Sequence, residues 1–350
     1  MDFSIFFFSS YKQSAADKYK LLKDSAQFGD RNGFSAIWTP ERHFHEFGGL
    51  FPNPSVLSAG LAMITERIQI RSGSIVSPLH HVARIVEDWS VVDNLSAGRV
   101  ELSFAPGWHS DDFIFHPERF DQRTTFMFDQ IEQARRLWRG ESEVFTNGSD
   151  KQVEIRTYPR PIQEELSVWV STNGSVDTIQ RAGEMGANLL TNFIGQDIHE
   201  LNRKLAIYRK ALHDNGYSPD SRKVSVMLHT YLGKDIEQVK RVAKQPFKDY
   251  LSTSMSLIKQ VYETKKISNP ELEKQLKNPL VFEKFLEIAY SRYWNTAALL
   301  GTVDSCSELV RNLQQIGVNE IACLIDFGIE DELIIRGLDT LLELKEKFHS

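Results

Sequence analysis

The chain has few of the residues that mark several common protein classes. Two cysteines, Cys306 and Cys323, are too few for a disulfide framework or a structural zinc site. No apolar run approaches the ~18 residues of a membrane span. Positive charge is not in excess: 41 Lys plus Arg face 47 Asp plus Glu, a formal net charge of −6. There is thus no basic footprint for nucleic acid. The opening MDFSIFFFSS lacks a basic n-region and a small-residue cleavage site, and reads as a first strand rather than a signal peptide. A cytoplasmic chain is the expectation. The Gly-x-x-x-x-Gly-Lys-Ser/Thr loop, a strand-linked Gly-x-Gly-x-x-Gly, the Gly-x-Ser-x-Gly elbow and His-Glu-x-x-His are missing too.

What is there is ordinary soluble composition over 350 residues, 41% hydrophobic and 25% charged, enough to bury a sizeable core. Short β-branched or aromatic runs predict eight strands: Phe3–Phe8, Ser35–Trp38, Ile68–Arg71, Arg99–Phe104, Val168–Val170, Ala187–Leu190, Val224–Tyr231 and Glu320–Leu324. Helix-periodic segments separate most of them: Ala15–Asn32, Pro54–Thr65, His81–Leu95, Arg119–Trp138, Ser175–Met185 and Asp197–Asn215, with Asp304–Ile316 and Asp331–Phe348 flanking the last strand. Eight strand–helix units favour one domain over 1–350, a (β/α)₈ TIM barrel; an open doubly wound sheet is the alternative. Asn147-Gly148 between alternating runs predicts a hairpin inserted over 141–160. Residues 236–300 read as a charged, helical insertion between strands seven and eight.

Barrel chemistry sits at the C-terminal ends of the strands. After strand two, WTPERHFHEFGG crowds Glu41, Arg42, His43, His45 and Glu46 with aromatic rings, where a bland loop carries more Ser, Asn and Asp. His43 and His45 also have a metal-ligand spacing, with His229 and Asp326 as conceivable further ligands of a hydrolase. After strand three, Gly73-Ser74 admits either a flat ligand or a bulge, and His80 and His81 begin a helix as capping or packing residues. After strand four, Pro106-Gly107 turns the chain to present Trp108 and His109; Trp108 plugging the core and Asp111 capping a helix is the blander reading. After strand five, Thr172, Asn173, Gly174 and Ser175 open a helix whose free amides suit an anion. Trp, His, Arg, Glu and a phosphate cradle with no activated nucleophile suit a phosphorylated aromatic cofactor that carries the chemistry itself.

The order FFFSS, GFSAIWTPERHFHEFGG, PNPSVLSAG, TERIQIRSGSIVSPLHH, EDWSVVDNLSAGRVELSFAPGWHSDDF and VSTNGS resembles the bacterial-luciferase-like flavin monooxygenases. The TPERHFH and GWH forms resemble those found in polyketide and nonribosomal-peptide assembly lines. The resemblance implies a barrel that takes reduced FMN (FMNH2) from a separate flavin reductase and, with molecular oxygen, forms a 4a-hydroperoxide. That species would hydroxylate, or insert oxygen Baeyer–Villiger fashion into, a substrate on an acyl or peptidyl carrier protein. It further implies Gly73 and Ser74 against the isoalloxazine, often through a non-proline cis peptide. Gly174, Ser175 and Asn173 would serve at the phosphate turn, with Trp108 and His109 beside the flavin. A homodimer through the helices after strands two and three is implied as well.

Two departures qualify this. Where luciferases carry two adjacent histidines, this chain has Arg42-His43, so the acid/base step falls to His43, with Arg42, Glu41 and His109 shaping the pocket and Arg42 pairing with an acid or a substrate anion. The phosphate-holding arginine falls on Pro106, which implies weak flavin retention. A deazaflavin-dependent dehydrogenase shares the barrel and is the rival within flavin chemistry.

Overall fold

The computed structural model describes residues 1–8, 17–264 and 278–348. In chain order the elements are β1 (Asp2–Phe6), α1 (Lys20–Arg31), β2 (Ala36–Thr39), α2 (Pro54–Ala62), β3 (Gln69–Val76), α3 (Val82–Leu95), β4 (Val100–Ala105), α4 (Arg123–Arg139), β5 (Glu143–Thr146), β6 (Gln152–Ile155), β7 (Val168–Ser171) and α5 (Val176–Glu184). There follow β8 (Asn188–Asn192), α6 (Ile198–Asp214), β9 (Val224–Leu232), α7 (Ile236–Thr264), α8 (Pro279–Thr296), β10 (Ala298–Gly301), α9 (Val303–Gln315), β11 (Glu320–Leu324) and α10 (Asp331–Lys347).

Strands β1, β2, β3, β4, β7, β8, β9 and β11 pair in parallel, each with the next, and β11 returns to β1 to close the ring. This is the expected TIM barrel. The helices lie outside and bury one stripe each; α5 hides Ile179 and Ala182 while exposing Asp177 and Gln180. The hairpin of β5 and β6 is antiparallel, and the Asn147 side chain accepts from the Ser149 and Lys151 amides in its turn.

The barrel interior is not purely apolar. Arg71 lies between the indoles of Trp38 (4.7 Å) and Trp169 (4.5 Å) and donates to Glu101 and Glu320. Ser4, Ser35 and Ser225 donate to the Glu320 carboxylate as well. Burial works against ionising Glu320, but Arg71 and these hydroxyls hold it below the ordinary carboxylate range. Breaking such a buried pair on one side only costs about 3–5 kcal/mol, so this floor is a rigid base for the mouth above it.

Four elements differ from the sequence expectation. The region 236–300 is not helical to its end: Ala298–Gly301 forms a ninth parallel strand, paired with His229–Leu232. β9 outruns β8 and β11 by four residues, so its C-terminal half has backbone left to pair. Residues 265–277 of that insertion lie outside the described residues. β3 continues past Arg71 to Val76, because Gly73 and Ser74 together stand opposite Ser103 as a bulge and the ladder resumes at Ile75. The first helix begins at Lys20, and residues 15 and 16 of the expected span lie outside the described residues. Arg119 ends a short 3-10 turn, with α4 starting four residues later.

Candidate active site

The β2 loop is folded on itself by backbone bonds: Arg42 N–H to Phe51 O, Phe51 N–H to Gly48 O and Gly49 N–H to Glu46 O. Gly48 sits at φ +80°, and a Cβ there would lie 2.6 Å from the Arg42 side chain. Glycine is therefore required for Arg42 to lie where it does.

Glu41 is buried and serves three donors. Its Oε1 accepts from His43 Nε2 (2.9 Å) and His80 Nε2 (2.6 Å), and its Oε2 from the Val76 amide (2.7 Å). Burial opposes the charge, yet the two imidazoles hold the Glu41 carboxyl below its ordinary range. Burial likewise pulls His80 down, and the bond to Glu41 more than reverses it, so His80 is raised. With Nε2 donating to a carboxylate, neutral His43 presents Nδ1 as its acceptor.

Arg42 is half-buried. Its guanidinium carbon lies 4.1 Å from the Phe8 ring centre, 5.4 Å from Trp108 and 5.5 Å from Phe47. Its guanidinium forms no hydrogen bond or ion pair among the described residues, so an acid of the protein does not occupy it there. The Pro106-Gly107 turn, with Gly107 at φ +76°, delivers Trp108 and His109. His109, not Asp111, caps the following turn: its Nδ1 accepts from the Asp111 amide. Trp108 lines a pocket rather than plugging the core. That pocket, about 150 Å³ and open to solvent, brings Arg42, His43, Phe44, Phe47, Trp108 and His109 together with Asp112. Burial pushes the Asp112 carboxyl up toward its neutral form.

Gly73, Ser74, Asn173, Gly174 and Ser175 do not line this pocket. Gly73-Ser74 is a cis peptide in β3, with Phe6 and Trp38 about 3.0 Å from where a Gly73 Cβ would sit. Ser74 Oγ bonds Ser103 Oγ (3.0 Å) and Ser171 Oγ, and Ser103 Oγ lies 2.8 Å from Ser171 Oγ. This hydroxyl triangle joins β3 to β7, where the 172–175 turn begins.

At that turn the amides are less free than the sequence suggests. Thr172 Oγ1 accepts from both Gly174 and Ser175 N–H, and Ser175 Oγ caps Thr178 N–H. The first-turn amides of Val176 and Asp177 remain as at any helix start. A residue that sequence reasoning missed stands there: Lys204 Nζ, ion-paired with Glu200 (2.7 Å), lies 2.8 Å from where a Gly174 Cβ would be, beside Gln196 Oε1. Glycine 174, at φ +98°, is what lets this ammonium approach. Asn173, held through its Oδ1 by Asn192, keeps its own amide donors. Lys204, Ser175, Asn173 and two backbone amides form a cradle that fits a phosphate, although the Asp177 carboxylate stands in the same turn.

No three His, Cys, Asp or Glu side chains converge as a metal site among the described residues. His43 is committed to Glu41, His45 Nδ1 accepts from the Phe47 amide, Asp326 holds the Phe8 amide, and His229 sits inside a ring of aromatics. The His43/His45 hydrolase reading thus has no geometric support. No helix among the described residues is long and apolar enough to cross a membrane.

Comparison with known proteins agrees with this architecture. The oxygenase component of a flavin-dependent trigonelline monooxygenase from Acinetobacter baylyi is 23% identical over 332 residues, 92% of this chain and 88% of that protein. The crystal structure of monooxygenase RslO1 from Streptomyces bottropensis superposes with a TM-score of 0.80 at 21% identity over all of both chains. The oxygenating constituent of 3,6-diketocamphane monooxygenase from Pseudomonas putida, a type II Baeyer–Villiger enzyme in complex with FMN, gives a TM-score of 0.77 at 15% identity over all of this chain and 99% of that one. The family model for luciferase-like monooxygenases matches residues 1–320, so the chain belongs to the luciferase-like monooxygenase family.

Proposed function

We propose that this protein is the oxygenase of a two-component system that takes FMNH2 from a separate reductase and transfers one oxygen atom to an organic substrate. The transfer would be a hydroxylation or a Baeyer–Villiger-type insertion. The observation that carries the reading is the Glu41–His43 pair: a buried, ionised carboxylate orients one imidazole at the wall of a solvent-open pocket. The bound flavin supplies the oxygen activation; the chain's own residues do the rest. His43 Nδ1 holds or accepts a proton beside the reacting atoms, and Glu41 fixes its ring and tautomer. The hydroxyls of Ser74, Ser103 and Ser171 give a polar floor, and Lys204 and Ser175 hold the phosphate. Pro106 in place of an arginine, and Asp177 in the phosphate turn, weaken that hold, as suits a flavin that arrives and leaves as a substrate.

The substrate is proposed to reach the pocket on a carrier protein or free. Val56 and Met63 at α2 and Val91 and Leu95 on α3 are exposed apolar side chains on adjacent helices, and support a homodimer through that face. Light scattering is expected to give twice the chain mass; a monomer would remove the dimer.

The test of function is anaerobic titration with reduced FMN followed by rapid mixing with oxygen. The expected outcome is a flavin absorbance unlike oxidised or reduced FMN that outlives free reduced FMN in the same buffer. Oxidation at the free-flavin rate, with no new spectrum at any protein concentration, would overturn it. A deazaflavin dehydrogenase would leave the oxidation of reduced FMN at the free-flavin rate.

A further inference from the structure

Arginines elsewhere in the barrel use their N–H groups. Arg71 donates to two carboxylates, Arg99 to Thr65 and to several backbone carbonyls, and Arg292 to the carbonyls of Phe193 and Gln196. Arg42 does not: aromatic faces pack around its guanidinium, and its five donors find no acceptor among the described residues. Stacking on rings favours the cation but leaves the N–H edge unsatisfied, and a half-dried guanidinium without an acceptor is unfavourable. Two carboxyls stand near without reaching it. Asp326 is bonded through both oxygens to the Phe8 amide, and Asp112 is pushed by burial toward its neutral form.

The surroundings define what the missing acceptor is attached to. Phe44 (60% exposed) and Phe115 (49%) form an apolar rim, with the His43 ring against both. Trp108 and Phe47 line the wall behind it. A planar fork with free donors next to apolar walls matches an oxyanion on an apolar body.

We infer that Arg42 anchors an anionic oxygen group of the substrate, either the carboxylate of a small aromatic or apolar acid or the phosphate of a phosphopantetheine arm, and so orients the substrate's apolar body against His43. This deepens the proposed function by naming the substrate class of the same pocket.

The test is calorimetric titration of the full chain without flavin, using benzoate against benzamide and phosphopantetheine against pantetheine. One charged probe is expected to bind at least about tenfold more tightly than its neutral partner. Benzoate selectivity points to a free acid, and phosphopantetheine selectivity to a carrier arm; both support the inference. Arg42→Met is expected to erase the charge preference while leaving the neutral probe's affinity unchanged. Arg42→Lys, which keeps the charge but not the planar fork, is expected to retain part of it. Equal binding of charged and neutral probes, binding of none of them, or an undiminished preference in Arg42→Met would overturn the inference. So would competition between FMN and the charged probe, which would assign Arg42 to the flavin. The titration involves no turnover, so its failure leaves the oxygenase reading standing.

Discussion

His43 and His229 both lie toward the C-terminal ends of barrel strands, and both are surrounded by aromatic rings, yet the fold treats them oppositely. His43 sits against Phe44 and Phe115 but points Nε2 at an ionised carboxylate. His229 is enclosed by Phe247 and Tyr250 at 4.7 Å, Tyr293 at 5.6 Å and Phe327 at 5.8 Å, and its Nε2 has no hydrogen-bond partner among the described residues. Burial alone pushes His229 down to about 3. One imidazole is therefore held by a carboxylate at the wall of an open pocket, while the other is a neutral plug that seats the α7 and α8 insertion on β9. Aromatic neighbours do not decide a histidine's role; the presence of a charged acceptor does.

The largest test of that contrast is on turnover. His43→Ala is expected to lower the rate of substrate oxygenation, read as oxygenated product at saturating reduced FMN, by about a hundredfold or more, the usual scale for a lost acid/base group. His229→Phe, which swaps one ring for another inside the cage, is expected to stay within a few-fold of wild type. Equal losses in the two variants would show that both rings act through packing, and no loss in His43→Ala would remove its assigned role.

What could be read beforehand follows the same division. The barrel and the Glu41–His43 and Trp108–His109 clusters were legible, because each is a short run of unusual composition at a strand end. His80 was not. Its place on Glu41 depends on β3 running on to Val76, whose amide binds the same carboxylate, and the polar Ser72-Gly73-Ser74 stretch hides that continuation. Those serines are tolerated inside the barrel because Ser74, Ser103 and Ser171 satisfy one another across three strands, a pairing that periodicity within one strand cannot reveal. Lys204 lies thirty residues past Gly174 on an ordinary amphipathic helix, so nothing local marked it. β10 is four residues directly after a helix, too short to show a period.

The smaller, sharper test is on stability, where the two regions predict opposite signs. An unfolded chain protonates residue 229 below the ordinary histidine range near 6.5, whereas the folded chain resists protonation down to about 3. Between those values the unfolded state binds the extra proton, so stability falls as pH falls. The slope approaches about 1.4 kcal/mol per pH unit for this group, and nothing is lost above 6.5, where both states are neutral. His80 is raised instead, so its contribution is complete below 6.5 and disappears as pH rises through its folded value. Urea unfolding at pH 5, 6, 7 and 8 separates the two. His229→Phe is expected to flatten the acid side only, and His80→Gln the alkaline side only. If His229→Phe kept the wild-type acid slope, water would have to reach the cage, and the difference between the two histidines would shrink to one of hydrogen bonding.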